Sequence, residues 1–80
     1  MVDWRMYIIS DPNILYGKPI IKGTRIPVDL ILEKMANGEQ FKELLQAYPS
    51  LDENAIFACL AFAADAIKNE VVYPLASGVS

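Results

Sequence analysis

Apolar residues between Pro27 and Pro49 recur at helical spacing in two stretches. Pro27 suits the first position of a helix, and Asn37-Gly38 is typical of a helix C-terminus. Pro49 ends the second stretch. The apolar positions are Val28, Ile31, Leu32 and Met35 in the first stretch, and Phe41, Leu44, Leu45 and Tyr48 in the second. This pattern predicts two consecutive α-helices.

A third and longest helix is predicted from about residue 51 to residue 68. Ser50 and Glu53 match a capping box at its start, with Ser50 as the cap. The main apolar stripe, which we expect to face the core, is Ile56, Cys59, Leu60, Ala63 and Ile67. At about 100° per residue, other apolar side chains point away from this stripe, so the helix is apolar around most of its circumference. We therefore assign Phe57, Ala61 and Phe62 to an interface with a second copy or another partner.

The N-terminal third is predicted to form two short β-strands joined by an irregular loop. Residues 6–9 are β-prone and precede a turn cluster at residues 10–13, while residues 18–22 are extended by composition and end at Gly23. Trp4 and Tyr7 could bind a partner or cover the core, and we favour the cover. At the other end of the chain, residues 71–75 are a candidate for a short terminal strand and residues 76–80 are expected to fray.

These elements predict a single domain of mainly α class, over residues 1–80. A three-helix bundle over residues 27–68 is preceded by the short strands and loop of residues 1–26 and followed by a C-terminal tail over residues 69–80. A core this small gives a thin stability margin. The chain has one cysteine, Cys59, and no histidine, so neither an intrachain disulfide nor a structural zinc site can add to it. Because 54% of the residues are hydrophobic and the mean hydropathy is +0.26, we predict a homodimer.

The sequence also predicts a cellular location. No apolar run approaches the roughly 18 residues that cross a bilayer, and the N-terminus lacks the basic-then-apolar layout of an export signal. Together with the lone cysteine, these features predict a cytoplasmic protein that does not associate with membranes.

Charge is distributed unevenly along the chain, whose formal net charge is −3. Residues 1–25 carry four basic and two acidic side chains, whereas residues 26–80 carry three basic and eight acidic ones. The acidic balance argues against strong unaided DNA binding, which depends on neutralising phosphates. Any contact with operator DNA is expected at Lys18, Lys22 and Arg25. Alternatively, Lys18 and Lys22 are solvated charges, and Arg25 binds a partner carboxylate or a helix-end carbonyl of its own fold.

Catalytic residue combinations are mostly absent from the sequence. There is no histidine to act as a general base. Cys59 lies on the predicted buried stripe with no base beside it, which is typical of an inert core cysteine. The stretch Gly17–Gly23 lacks the spacing and the lysine-hydroxyl ending of a phosphate-binding loop. We expect no enzymatic activity, no cofactor and no metal site.

The tight connection Tyr48–Leu51 fits a helix-turn-helix layout. In a DNA-binding arrangement the third helix would lie in a groove of the duplex, whereas in the simpler alternative the three helices form only a core. The third helix begins with Asp52 and Glu53 and its only base is Lys68, near its far end. These charges favour the simpler alternative for that helix.

The segment Gly17–Val28 carries the pattern G-x-P-x-I-x-G-T-R-[IV]-x-V. Together with Leu44–Pro49, which ends in Tyr-Pro, and the alanine-rich stretch Leu51–Ala63, it resembles the signature of a widespread bacterial family of unknown function. The resemblance implies a homeodomain-like, trihelical helix-turn-helix fold preceded by short strands. It also implies a proposed role as an antitoxin, often encoded beside a PIN-like nuclease toxin.

Three functional hypotheses follow from the residues and the resemblance. The first is a non-enzymatic, antitoxin-like protein that binds and neutralises a PIN-like nuclease toxin as a dimer. The second is a helix-turn-helix transcriptional regulator that binds its own promoter, and the third is an assembly module of unknown role. Whether a short nuclease-like reading frame lies directly downstream discriminates between the first hypothesis and the other two.

Overall fold

The structure is a computed structural model that describes residues 1–70, and it is mainly helical. The strands are β1 (Ile8–Ser10) and β2 (Pro19–Ile21), and the helices are α1 (Val28–Ala36), α2 (Phe41–Ala47) and α3 (Glu53–Glu70). Two short 3-10 turns, Trp4–Met6 and Leu15–Gly17, precede the strands. The prediction of three helices after two short strands is confirmed. The terminal strand predicted at residues 71–75 lies outside the described residues.

The two strands form a small antiparallel sheet in which Ile8 pairs with Ile21 and Ser10 pairs with Pro19. A further bridge joins Ile20 to Pro27 on the other side of β2, so the start of α1 is fixed against the sheet. β1 begins later than the sequence predicts. The carboxylate of Asp3 accepts a hydrogen bond from the backbone N–H of Arg5, and this cap starts a 3-10 turn through Met6 where an extended strand was expected.

The core lies between α3, the sheet and the other two helices. α3 packs against both α1 and α2, and the N-terminal 3-10 turn packs against it from another side. Ile31 of α1, Leu44 of α2 and Ile56 of α3 are fully buried. The buried apolar residues that pack together as one cluster are Ile8, Ile21, Val28, Ile31, Leu44, Leu51, Ala55, Ile56, Ala58 and Cys59. A single core therefore joins the strands to the helices.

The orientation of α3 differs from the sequence-based prediction. Ile56 and Cys59 face the core as expected, but Leu60 is 39% exposed and Ile67 is 73% exposed. The inward face is instead completed by Ala55 and Ala58, whose small side chains allow the neighbouring elements to pack closely. The predicted stripe thus mixed residues from two faces, because a helix that is apolar around its circumference has no single hydrophobic direction.

The start of α3 also differs from the predicted capping box. The carboxylate of Asp52 accepts a hydrogen bond from the backbone N–H of Ala55 at 2.9 Å, so Asp52 is the cap in place of Ser50. A capping box is present at α2 instead. There the side chain of Gln40 accepts from the backbone of Glu43, and the Glu43 carboxylate accepts from the Gln40 N–H at 2.9 Å.

Trp4 covers the C-terminal half of α3, as the sequence predicts for a residue that shields the core. Its ring meets Phe62 edge-on with the ring centroids 4.9 Å apart. Its indole Nε1 donates a hydrogen bond to Oδ2 of Asp65 at 2.8 Å. The guanidinium of Arg5 lies 4.5 Å from the centre of the Trp4 ring. Phe62, which the sequence assigns to an interface, is therefore half-buried beneath a residue of its own chain.

Candidate functional site

A turn between β2 and α1 holds two of the cations singled out in the sequence, and we call residues Lys22–Arg25 the basic turn. The backbone N–H and the hydroxyl of Thr24 both donate to the carbonyl of Ile21, at 3.0 and 2.7 Å. The hydroxyl oxygen in turn accepts from the N–H of Ile26 at 3.0 Å. The Ile21 N–H donates to the Ile26 carbonyl at 3.0 Å, which closes the turn. These bonds give the basic turn a defined geometry.

Lys22 and Arg25 project from this turn into solvent. Among residues 1–69, whose side chains the structure describes, neither Lys22 nor Arg25 has a side-chain hydrogen bond or ion pair, so the helix-end contact considered for Arg25 is not formed there. Lys18 is different, because its Nζ lies 2.8 Å from Oδ2 of Asp29. The hydrogen bond from Lys18 lowers the pKa of the Asp29 carboxyl. The structure thus places Lys22 and Arg25 on one turn, whereas Lys18 is neutralised locally.

Gly23 is required by the backbone conformation of the basic turn. Its φ is +80°, and a Cβ built there meets nothing within 4 Å, so the barrier to substitution is conformational strain and not a clash. We expect Gly23→Ala to lower the free energy of unfolding by about 1–2 kcal/mol. Asparagine tolerates the left-handed region better than alanine does. Urea denaturation should therefore show a smaller loss in the free energy of unfolding for Gly23→Asn than for Gly23→Ala. Equal losses in the two variants would contradict this origin of the effect.

A second surface feature is an apolar groove along α3, which we call the α3 groove. Its volume is about 740 Å³, and it is lined by Met1, Val2, Asn54, Phe57, Leu60, Ala61 and Ala64. Phe57 is 44% exposed and its ring meets that of Phe41 edge-on at 5.1 Å between centroids. Ala61 is only 2% exposed and forms part of the floor.

The predicted interface residues are therefore divided between two places. Phe57 and Ala61 both line the α3 groove, whereas Phe62 lies beneath Trp4. Leu60 also lines the groove, although the sequence pattern placed it in the core. The spacing of Phe57, Leu60 and Ala64 at i, i+3 and i+7 is the signal that identifies this second face.

Cys59 is the only thiol of the chain, and it is fully buried on α3. Burial raises the pKa of the Cys59 thiol to about 11, from an ordinary value of 9.0. The reactive thiolate is then about 100-fold scarcer than at an unperturbed cysteine. We expect labelling by a disulfide reagent at pH 8 to be at least about 100-fold slower in the folded protein than in urea. Equal rates in the two states would contradict the burial of Cys59.

Two further features of the described region bear on function. Within residues 1–70, no three histidine, cysteine, aspartate or glutamate side chains are grouped to hold a metal ion. In the same region, no helix has both the length and the apolar character that a membrane crossing requires.

The sequence model of a family described as "Protein of unknown function (DUF433)" matches residues 8–63 of this chain. The chain belongs to the DUF433 family. The match spans both strands, the basic turn, α1, α2 and the first part of α3. Trp4 and the last turns of α3 lie outside it.

Two individual proteins are also similar to this chain. The uncharacterized protein y4eO of Sinorhizobium fredii (strain NBRC 101917 / NGR234) is 40% identical over 52 residues, which are 65% of this chain and 24% of that protein. The crystal structure of a DUF433 member from Anabaena variabilis ATCC 29413 has a TM-score of 0.68 and 30% sequence identity, covering 79% of this chain and 65% of the other. This chain thus spans about a quarter of the first relative and less than two thirds of the second.

Proposed function

We propose that this DUF433 protein is a non-enzymatic, antitoxin-like module that acts as a dimer and neutralises a PIN-like nuclease toxin. The observation that supports the proposal is the basic turn. It displays Lys22 and Arg25 from a hydrogen-bonded frame, and neither side chain is paired with another of the described side chains of residues 1–69. Since such a toxin acts on nucleic acid inside the cell, the proposal places the protein in the cytoplasm.

The chemistry of the basic turn suits an acidic target. A PIN-like nuclease site is a cluster of carboxylates around a metal ion. The planar guanidinium of Arg25 can donate two parallel hydrogen bonds to one carboxylate, and the ammonium of Lys22 adds a second positive charge close by. Because hydrogen bonds already order the backbone of the turn, little backbone conformational entropy is lost when it binds, and the entropy cost is confined to the Lys22 and Arg25 side chains. Pairing with the carboxylates would compete with the metal ion that the nuclease requires.

Co-expression with the neighbouring gene product tests the proposal. A tagged toxin is expected to co-purify with this protein, and growth arrested by the toxin is expected to recover when both are produced. Absence of both co-purification and growth recovery would refute the antitoxin role.

Arg25→Glu gives a sharper test of the contact itself. Reversing this charge is expected to weaken toxin binding by about 2–5 kcal/mol, because it removes an ion pair and adds a repulsion. Lys42→Glu is the matched control, since it makes the same charge change at an exposed site on α2 and should leave binding nearly unchanged. Titration calorimetry with the purified toxin would measure both. Equal losses in the two variants would indicate a general charge effect and would exclude a specific role for Arg25.

A second candidate function is DNA binding by a homeodomain-like helix-turn-helix. It is favoured by the same exposed cations, since Lys22 and Arg25 from two subunits could contact phosphates. The exposed acids Asp52 and Glu53 at the start of α3 oppose insertion of that helix into a groove. A shift of promoter DNA at low salt, weakening steeply as salt is added, is expected if this function exists. No shift at low salt would exclude it. If toxin and DNA tests both fail, the assembly module of unknown role remains.

A further inference from the structure

We infer that the α3 groove is the site of self-association, and that α3 of a second copy of this chain lies antiparallel along it. The two-fold axis of the dimer passes between Leu60 and Ala61. This inference specifies the dimer of the proposed function and rests on that dimer alone, not on the toxin.

The exposed face of α3 lies opposite the face that contacts the core. At about 100° per residue, Glu53, Phe57, Leu60, Ala64 and Lys68 fall within an arc of about 80° on this face. Ala61 adjoins the arc but is only 2% exposed, so it is the floor of the α3 groove. Phe57 and Leu60 are the large exposed apolar side chains on this arc. Both side chains line the open α3 groove, so the exposed apolar surface there is continuous and not a set of isolated residues.

The side chains on this face are complementary in size. In an antiparallel pair with its axis between residues 60 and 61, residues at equal distances on either side of the axis face each other. Phe57 then faces Ala64 of the second copy, and Leu60 faces Ala61 of the second copy. Each large side chain meets a small one, since Ala64 is part-exposed in the groove and Ala61 is its floor. A small residue opposite a large one allows two helices to pack closely.

The charges on this face are also complementary. Glu53 and Lys68 are exposed charges at opposite ends of the same face, about 22 Å apart along the helix axis. The same symmetry places Glu53 of each copy opposite Lys68 of the other, so two attractive pairs form. The antiparallel arrangement also sets each helix N-terminus beside the C-terminus of its neighbour, which favours it further. A parallel pair would instead place Glu53 against Glu53 and Lys68 against Lys68.

The charge pattern yields a direct experiment on the full chain. Sedimentation equilibrium at micromolar concentration is expected to show a dimer. Glu53→Lys and Lys68→Glu should each raise the dimer Kd by about tenfold, because each creates two repulsive pairs. The double variant Glu53→Lys/Lys68→Glu should return to within about threefold of the wild-type Kd, since its pairs are attractive again. Lys42→Glu is a control for net charge that should leave the Kd unchanged.

A variant in the groove provides an independent readout. Leu60→Asp is expected to weaken the dimer by on the order of a hundredfold while far-UV circular dichroism shows that the subunit stays folded, since Leu60 is outside the core. A monomeric wild-type chain, a dimeric Leu60→Asp variant, or a double charge variant that is not restored would each overturn the inference. If the wild-type chain is a monomer and still rescues growth, the dimer is refuted and toxin binding stands. If the double charge variant restores the dimer but growth is not rescued, the dimer stands and toxin binding is refuted.

Discussion

Ile56→Ala is expected to lower the free energy of unfolding by about 2–5 kcal/mol. Ile56 is fully buried on α3 and belongs to the single cluster that joins the strands to the helices, so its truncation leaves a cavity that no one element can fill. A domain of 80 residues has a total stability of about 4–12 kcal/mol. The substitution therefore removes a large share of it, and urea denaturation followed by circular dichroism would measure the loss.

Ile67→Ala is the matched control for this prediction. It makes the same chemical change in the same helix, but at a side chain that is 73% exposed. Its effect should lie within about 0.5 kcal/mol of the wild type. If Ile67→Ala were the more damaging of the two, α3 would have to face the core with its other side.

Trp4→Ala is expected to lower the free energy of unfolding by about 2–4 kcal/mol, because it removes both the edge-on contact with Phe62 and the hydrogen bond to Asp65. Trp4→Phe keeps a ring over Phe62 and loses only the N–H donor. It should therefore lower the free energy of unfolding by about 1 kcal/mol or slightly more. Trp4 is the only tryptophan of the chain, so its fluorescence reports directly on this contact in the wild type.

Denaturation of the wild type provides the second measurement for Trp4. If the N-terminal segment folds together with α3, tryptophan emission and circular dichroism should change at the same urea concentration. A fluorescence change that precedes the loss of helix would show that Trp4 detaches independently. In that case Trp4→Ala would leave the main unfolding transition unaltered, contrary to the prediction.

The helices were predictable from the sequence because their signals are local. Pro27, Asn37-Gly38 and Pro49 mark boundaries within a few residues of those observed for α1 and α2. The two strands were also predictable in kind, although the Asp3 cap moved the start of β1. Such features depend on neighbours in the chain, which a sequence pattern contains.

The orientation of α3 was not predictable in the same way. Apolar residues surround the helix, so the choice between Leu60 and Ala58 as a core residue depends on which other elements pack there. The cover over Phe62 comes from Trp4, and the hydrogen bond from Trp4 to Asp65 joins residues 61 positions apart. No local pattern contains that contact, and it decides which aromatic side chain remains exposed.

The candidate site was predicted in part. Arg25 and Lys22 were identified as cations in the basic N-terminal third, but the sequence did not show that Lys18 would pair with Asp29. Consecutive left-handed residues at Leu15 and Tyr16 were also unforeseen, because non-glycine residues rarely adopt that conformation. They leave the Tyr16 side chain fully exposed, and the sequence gives no local reason for it.

The contact between Trp4 and Asp65 brings the first residues of the chain beside the last turns of α3. Met1 lies further back along α3, beside Phe57 and Leu60, so a linker from the last turn of α3 to Met1 would run back over roughly 15 Å of that helix. New ends could be opened at the exposed Asn37-Gly38 turn between α1 and α2. The resulting circular permutant would begin with α2 and finish with α1. Trp4 would then follow Asp65 closely along the backbone, and a tertiary contact that now depends on the whole chain would form between near neighbours.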